Sequence, residues 1–172
     1  MKFKLIAAVC KNNGIGNKGL LPWNIPEDLK FFSKVTKGTG NNAVVMGRKT
    51  WNSLSKVLPV RDNLILSKSI EKNEKISDNL VKSFINIGAL LIFCKQKNYD
   101  EVWIIGGSEI YKQFLDNKLL DECRITYIDN DWCCDVYLPE LGDDWIKKKT
   151  TLLETKMDCK VEIVELVKST RH

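Results

Sequence analysis

Three clusters in this 172-residue sequence have residue types and spacing suited to chemistry. The first is Pro26-Glu27-Asp28, where two acids open a run that turns apolar. Pro26 suits the first position of a helix. Residues three, four and seven apart share a helix face. From Glu27 that face holds Lys30, Phe31 and Lys34; from Asp28 it holds Phe31, Phe32 and Val35. Glu27 is therefore expected to face water and Asp28 to look inward. Two readings of Asp28 stand at this point. An acid in the first turn complements the helix dipole, for about 0.3–1 kcal/mol. Alternatively, a carboxylate at the bottom of an apolar cleft could accept two parallel N–H bonds from a flat, amidine-like ligand. An inward aspartate left unsatisfied would cost several kcal/mol.

The other two clusters are Gly47-Arg48-Lys49-Thr50 and Gly106-Gly107-Ser108. Each follows an apolar run and opens a helical pattern. Free N–H groups at a helix start, with cations and a hydroxyl beside them, suit a phosphate. Glycines there let backbone approach a pyrophosphate closely. Ordinary strand-to-helix turns look the same one at a time; two of them plus an inward acid favour a dinucleotide enzyme. Residues 14–19, GIGNKG, spell a dinucleotide fingerprint but fail its physics. The third glycine should lie in a helix, yet Pro22 and Pro26 follow, and the next strand ends in Met46-Gly47-Arg48 rather than an acid. What is left is a glycine-rich loop, either plain surface or an active-site lid.

The elements that must hold these clusters are legible from periodicity. Buried strands are expected at 4–10, 42–47, 63–67, 101–107 and 123–128, with further strands at 150–157 and 159–167 and a turn at 157–159. Helices are expected at 26–36, 48–55, 85–97 and 108–115. Strands alternating with helices indicate an α/β sheet, and the adjacent C-terminal strands an antiparallel edge. Residues 67–79 read as a surface loop.

Composition bounds the rest. Length fits one domain, residues 1–172, and 44% hydrophobic residues can fill its core. Apolar runs fall short of a bilayer span. The opening apolar stretch ends at Lys11-Asn12-Asn13 with no small-residue cleavage site, so it reads as a strand. The net charge of +5 attracts anions or simply aids solubility, and no block of like charges suggests a nucleic-acid arm. Six cysteines without a C-x-x-C pair, and a lone His172, give no metal motif and fit a reducing, cytoplasmic setting.

The segments LIAA (5–8), LPWNIPEDLKFF (21–32), VVMGRKTWNSL (44–54), LPVRDNLILS (58–67), WIIGGSEIY (103–111), ITYID (125–129) and DVYLPEL (135–141), in this order, resemble the dihydrofolate reductase family along nearly the whole chain. The resemblance implies a central, mostly parallel twisted sheet with an antiparallel C-terminal strand and flanking helices. It implies NADPH-dependent reduction of 7,8-dihydrofolate, by hydride transfer to C6 and protonation at N5. Antifolates such as methotrexate or trimethoprim would bind, and the protein would act as a monomer, without nucleic acid, membrane or metal.

On this resemblance Asp28 would bind the 2-amino group and N3 of the pterin, steadied by Thr126. Ile6, Ala8, Leu29, Phe32 and Leu54 would line the pterin and benzoyl pocket, and Arg61 would grip the α-carboxylate of the glutamate tail. Leu21, Trp23 and Tyr111 would complete the catalytic surroundings, with the loop 14–23 as a lid steadied by Asp135. For the cofactor, Arg48, Lys49 and Thr50 would bind phosphates, with Arg48 near the 2′-phosphate and Ser67 and Lys68 contributing there too. Ala8, Ile15, Gly16, Gly47, Leu66 and Ile105 would flank it. So would Gly106, Gly107, Ser108, Glu109, Ile110 and Tyr111, with a cis peptide between the two glycines. Departures are visible: Leu21 stands where many bacterial members have methionine, Lys49 and Lys68 fall at positions that vary, Ser108 replaces a third glycine, and Trp132-Cys133-Cys134 fills a loop often richer in glycine and acids. A pyrimidine reductase of riboflavin synthesis, and a basic nucleotide- or nucleic-acid-binding module, are the rival readings; neither calls for the inward acid or Arg61.

Overall fold

The computed structural model describes residues 1–69 and 79–169. The strands β1 (Lys2–Val9), β3 (Ala43–Gly47), β4 (Asp62–Leu66), β6 (Glu101–Gly106) and β7 (Glu122–Ile128) are short apolar runs, the pattern of strands covered on both faces. They join β5 (Val81–Phe84), β9 (Trp145–Leu152) and β10 (Val161–Lys168) in one sheet of order β5-β4-β3-β6-β1-β7-β10-β9. Pairing is parallel from β5 across to β7 and antiparallel from β7 to β10 and from β10 to β9. The expected architecture is thus present.

Alternation along the strands builds two cores. Leu5, Ala7 and Val9 pack with Val45, Ile104 and Ile125 beneath α3 (Ile87–Lys97) and α4 (Ser108–Asp116). Ile6, Val44, Met46 and Trp103 pack on the other face, against Phe31, Phe32 and Val35 of α1 (Pro26–Lys37) and Trp51 of α2 (Arg48–Ser53). A satellite cluster around Cys10, Trp23, Ile25, Ile128 and Val161 lies under the loop after β7.

Several elements differ from expectation. The penultimate strand spans 145–152 rather than 150–157, and Lys147, Lys148 and Lys149 lie within it, exposed. It is a sheet edge, where lysines guard unpaired backbone and mask the strand pattern. The helix expected from Ile85 starts at Ile87, because Asn86 caps it: its Oδ1 accepts from the Ala89 N–H at 2.8 Å. Residues 14–16 of the glycine-rich loop form β2 (Gly14–Gly16), which pairs antiparallel with β8 (Val136–Tyr137). Most of the loop expected at 67–79, and His172, lie outside the described residues.

Candidate active site

Parallel strands deliver their C-terminal ends to one edge of the sheet, and ligands of open α/β sheets bind there. A cleft of about 1040 Å³ opens at that edge. Its floor is Ile6, Ala7 and Ala8 of β1 with Thr126 of β7. One wall is the start of α1, through Asp28, Leu29 and Phe32; Leu54 and Leu58 extend it. The opposite wall is the turns after β3, β4 and β6. Ile15, Gly16, Leu20 and Leu21 overhang it from the glycine-rich loop.

Asp28 stands in the first turn of α1, where its charge complements the helix dipole, but it makes no cap hydrogen bond there, since the N-cap is Ile25. The carboxylate lines the cleft instead, and its Oδ1 accepts from the Thr126 hydroxyl at 2.7 Å. Burial raises the Asp28 pKa, and the Thr126 bond opposes that shift without cancelling it. A single hydroxyl leaves most acceptor capacity of the carboxylate open to the cleft.

The second half of the cleft is a cradle between two glycine turns. Both α2 and α4 begin on a glycine N-cap, Gly47 and Gly107, and neither cap offers a side-chain acceptor to the helix start. The Gly106–Gly107 peptide is cis, and Gly106 has φ +130°. A Cβ at Gly106 would lie 3.4 Å from the Tyr111 hydroxyl, and one on Gly106 or Gly107 would stand 3.6 or 3.7 Å from Thr50 Oγ1. A Cβ on Gly47 would meet Ile110 at 2.9 Å. Side chains at these positions would fill the gap that backbone leaves open. Arg48, Lys49 and Lys68 bring positive charge to it, and Arg48 Nη1 donates to the Ser69 carbonyl at 3.1 Å. Tyr111 is buried behind the turn and donates to the Ile6 carbonyl at 2.8 Å, which ties α4 to the cleft floor. Burial, and secondarily the neighbouring Cys123, push its phenol pKa up. The arrangement suits an extended, phosphate-bearing cofactor beside a flat ligand anchored on a carboxylate.

Most of the residues expected from sequence come together here. The cleft is lined by Ile6, Ala8, Ile15, Gly16, Leu21, Asp28, Leu29, Phe32, Leu54 and Thr126, and by every cofactor position from Gly47 to Tyr111 named above. Two do not reach its wall. Trp23 is buried in the satellite cluster, its ring 5.4 Å from that of Trp132, because the loop after β7 supplies a large aromatic partner. Arg61, just before β4, is 3% exposed and reaches Thr36, one turn beyond Phe32 on α1. Its Nη1 donates to Thr36 Oγ1 at 2.9 Å and its Nε to the Pro59 carbonyl at 2.9 Å. Burial lowers the pKa of its guanidinium, and among the described residues no carboxylate pairs with it. Asp135 does tie the loop down: its Oδ2 accepts from the Lys18 N–H at 3.0 Å and its own N–H donates to the Gly16 carbonyl at 3.0 Å. Ser53, Ile85, Asn86, Ile87, Gln113 and Val136 line the cleft without having been anticipated. Of these, Asn86 ahead of an apolar run carried a readable helix-start signal.

Comparison with known proteins agrees with this geometry. Residues 2–168 match the family profile described as dihydrofolate reductase. The chain is 36% identical over 152 residues to the dihydrofolate reductase of Drosophila melanogaster, covering 84% of this chain and 83% of that protein. It is 40% identical over 140 residues to the dihydrofolate reductase of Buchnera aphidicola subsp. Baizongia pistaciae, covering 81% and 78%. A bifunctional dihydrofolate reductase-thymidylate synthase of Daucus carota is 35% identical over 151 residues, 29% of its own length.

Proposed function

Because this chain belongs to the dihydrofolate reductase family, we infer that it reduces 7,8-dihydrofolate to 5,6,7,8-tetrahydrofolate with NADPH. The observation that carries the reading is the Asp28 carboxylate, held by Thr126 and facing a cleft whose other half is a glycine cradle. NADPH, when bound, supplies the hydride that reaches C6 of the pterin. The protein supplies position and field. Asp28 accepts from the 2-amino group and N3, which favours the protonated pterin. Ile6, Ala8, Leu29, Phe32 and Leu54 enclose the ring and exclude bulk water. The loop bearing Leu20 and Leu21 closes over the site and admits the water that delivers the proton to N5. Arg48, Lys49, Thr50 and Lys68, with the N–H groups after Gly47 and Gly107, hold the phosphates. Trp23 acts from behind the wall, as a support for the loop.

A monomeric, single-domain enzyme is what the family resemblance implies for this chain. The six cysteines suit a reducing compartment such as the cytoplasm. No helix among the described residues is long and apolar enough to cross a membrane. The test is loss of NADPH absorbance on adding dihydrofolate, blocked by methotrexate or trimethoprim. Purified protein that leaves the absorbance unchanged refutes the reading.

Arg61 is assigned to the α-carboxylate of the substrate tail. A buried guanidinium with two fixed neutral partners, and no counter-ion among the described residues, leaves part of its donor fork for an anion. Arg61→Lys keeps the charge but loses the fork. It is expected to raise KM for dihydrofolate about 10- to 100-fold, with KM for NADPH and kcat little changed. A substrate analogue lacking the glutamate should bind both proteins alike.

A further inference from the structure

Two cysteines meet beneath the lid. Cys10 closes β1, and Cys134 lies in the loop that leads to β8; their sulfurs are 3.6 Å apart although the residues are 124 positions apart in sequence. Gly14 makes the approach possible. A Cβ there would fall 2.5 Å from Cys134 Sγ and 2.8 Å from Cys10 Sγ, so any side chain would occupy the space the sulfurs share. Both cysteines lie at anchor points of the lid. The Cys10 N–H donates to the Gly14 carbonyl at 3.0 Å, and Asp135, next to Cys134, holds Gly16 and Lys18. A bond between the sulfurs would fasten the β1 end of the lid to the loop that β2 pairs with.

We propose that Cys10 and Cys134 form a reversible disulfide that pins the lid, making this reductase responsive to small-molecule disulfides. The sulfurs must close to about 2.05 Å, a movement within reach of a loop and a strand end. In exchange with a low-molecular-weight disulfide, the partly exposed Cys134 attacks one sulfur and releases the other as a thiol. Cys10 then attacks the Cys134 sulfur and releases the second thiol. Two electrons pass from the cysteine sulfurs to the reagent's S–S bond, and the two thiol protons end on the released thiols. Formation of the bond does not depend on the reductase reading; its effect on turnover does.

Oxidised glutathione on the purified protein tests this. Free thiols are expected to fall from six to four, with a peptide linking Cys10 to Cys134. Turnover is expected to drop about 3- to 10-fold, as for a lid whose opening gates the cycle, and to recover with dithiothreitol. Cys10→Ser and Cys134→Ser should each lose the response, and Cys133→Ser should keep it; should one serine variant not fold, the other carries the comparison. Six persistent thiols, or a bond mapped to Cys133 or Cys159, overturns the pairing. A mapped Cys10–Cys134 bond with unaltered turnover overturns the control of the lid. An enzyme inactive before oxidation refutes the reductase reading instead, leaving the thiol count to judge the bond.

Discussion

Asp28→Asn is expected to lower kcat at pH 7 by about 10²- to 10³-fold, the scale of removing one preorganised electrostatic contact to a transition state, while NADPH binding stays nearly unchanged. The substitution keeps shape and keeps an acceptor for the Thr126 hydroxyl. What it removes is the negative charge that favours a protonated pterin. The loss should narrow as pH falls. Burial holds the Asp28 pKa above its ordinary 3.8, so as pH falls the wild-type carboxyl gains a proton, and loses its advantage, before an ordinary aspartate would. Solvent meanwhile protonates the substrate for the variant. Steady-state rates of both proteins from pH 8 down toward the ordinary carboxyl value of 3.8 check this; equal turnover at pH 7 removes Asp28 from the mechanism.

The same residue gives a stability prediction of opposite sign. A carboxyl whose folded pKa is raised binds its proton more tightly in the folded state. Folding is therefore unpenalised below the unfolded value of 3.8 and loses stability as pH rises toward the raised folded value. Above that value the whole cost of an ionised, half-buried carboxylate is present. The amide never bears it, so Asp28→Asn should unfold at higher denaturant than wild type at pH 7, with the gap closing near pH 4. A variant more stable yet far slower is the expected mark of a group retained for chemistry rather than folding.

Much of this site was legible before the structure, for local reasons. Pro26 and the i, i+4 spacing put Asp28 on the apolar face of α1, and the glycine turns at 47 and 106–107 announce themselves by following apolar runs. What spacing could not supply is the partner across the sheet: Thr126 is 98 residues from Asp28, and only the family resemblance joined them. The small sheet of β2 and β8 is similarly non-local, two and three residues long, with nothing in either segment to name the other. Strand β5, VKSF, went unread because it is short, half polar and paired on one side only. Trp23 is non-local in the same way. The resemblance places it in the catalytic surroundings, and its ring packs on Trp132, a departure of this chain from the family pattern that its own segment could not announce.

Lys4 was absorbed into an apolar strand with no role, yet the structure gives it one of the largest expected effects on stability. Its side chain is 8% exposed and is bound by Glu101 and, at 3.0 Å, by Glu122 Oε2. The ammonium also stands 5.4 Å from the Trp103 ring, and Arg124, paired with Glu165 at 3.0 Å, lies 5.4 Å from the same ring. Strand alternation places Lys4 on one face with Ile6 and Ala8, and Glu122 on that face with Thr126. The charged cluster is thus the upstream continuation of the cleft floor. Lys4→Met fills the space but leaves two acids, 27% and 17% exposed, with the exposed Lys2 still paired to Glu122. Breaking a buried pair on one side costs about 3–5 kcal/mol; partial exposure of the acids reduces this to about 2–3 kcal/mol here. The pH dependence identifies the cause. Burial alone would raise the Glu122 pKa, but hydrogen bonds and charge from Lys4 and Lys2 outweigh it and hold the pKa below 4.5. A depressed acid stabilises the fold above its unfolded pKa and loses that contribution as pH falls through its folded value. Urea unfolding should therefore show the full deficit of Lys4→Met at pH 7 and a smaller one below pH 4.5. Adding Glu122→Gln should recover part of the deficit, while kcat of the folded variant stays within about twofold of wild type, since no cleft group has moved. A deficit independent of pH would mean that Lys4 acts through the packing of its stem on Trp103 rather than through its charge.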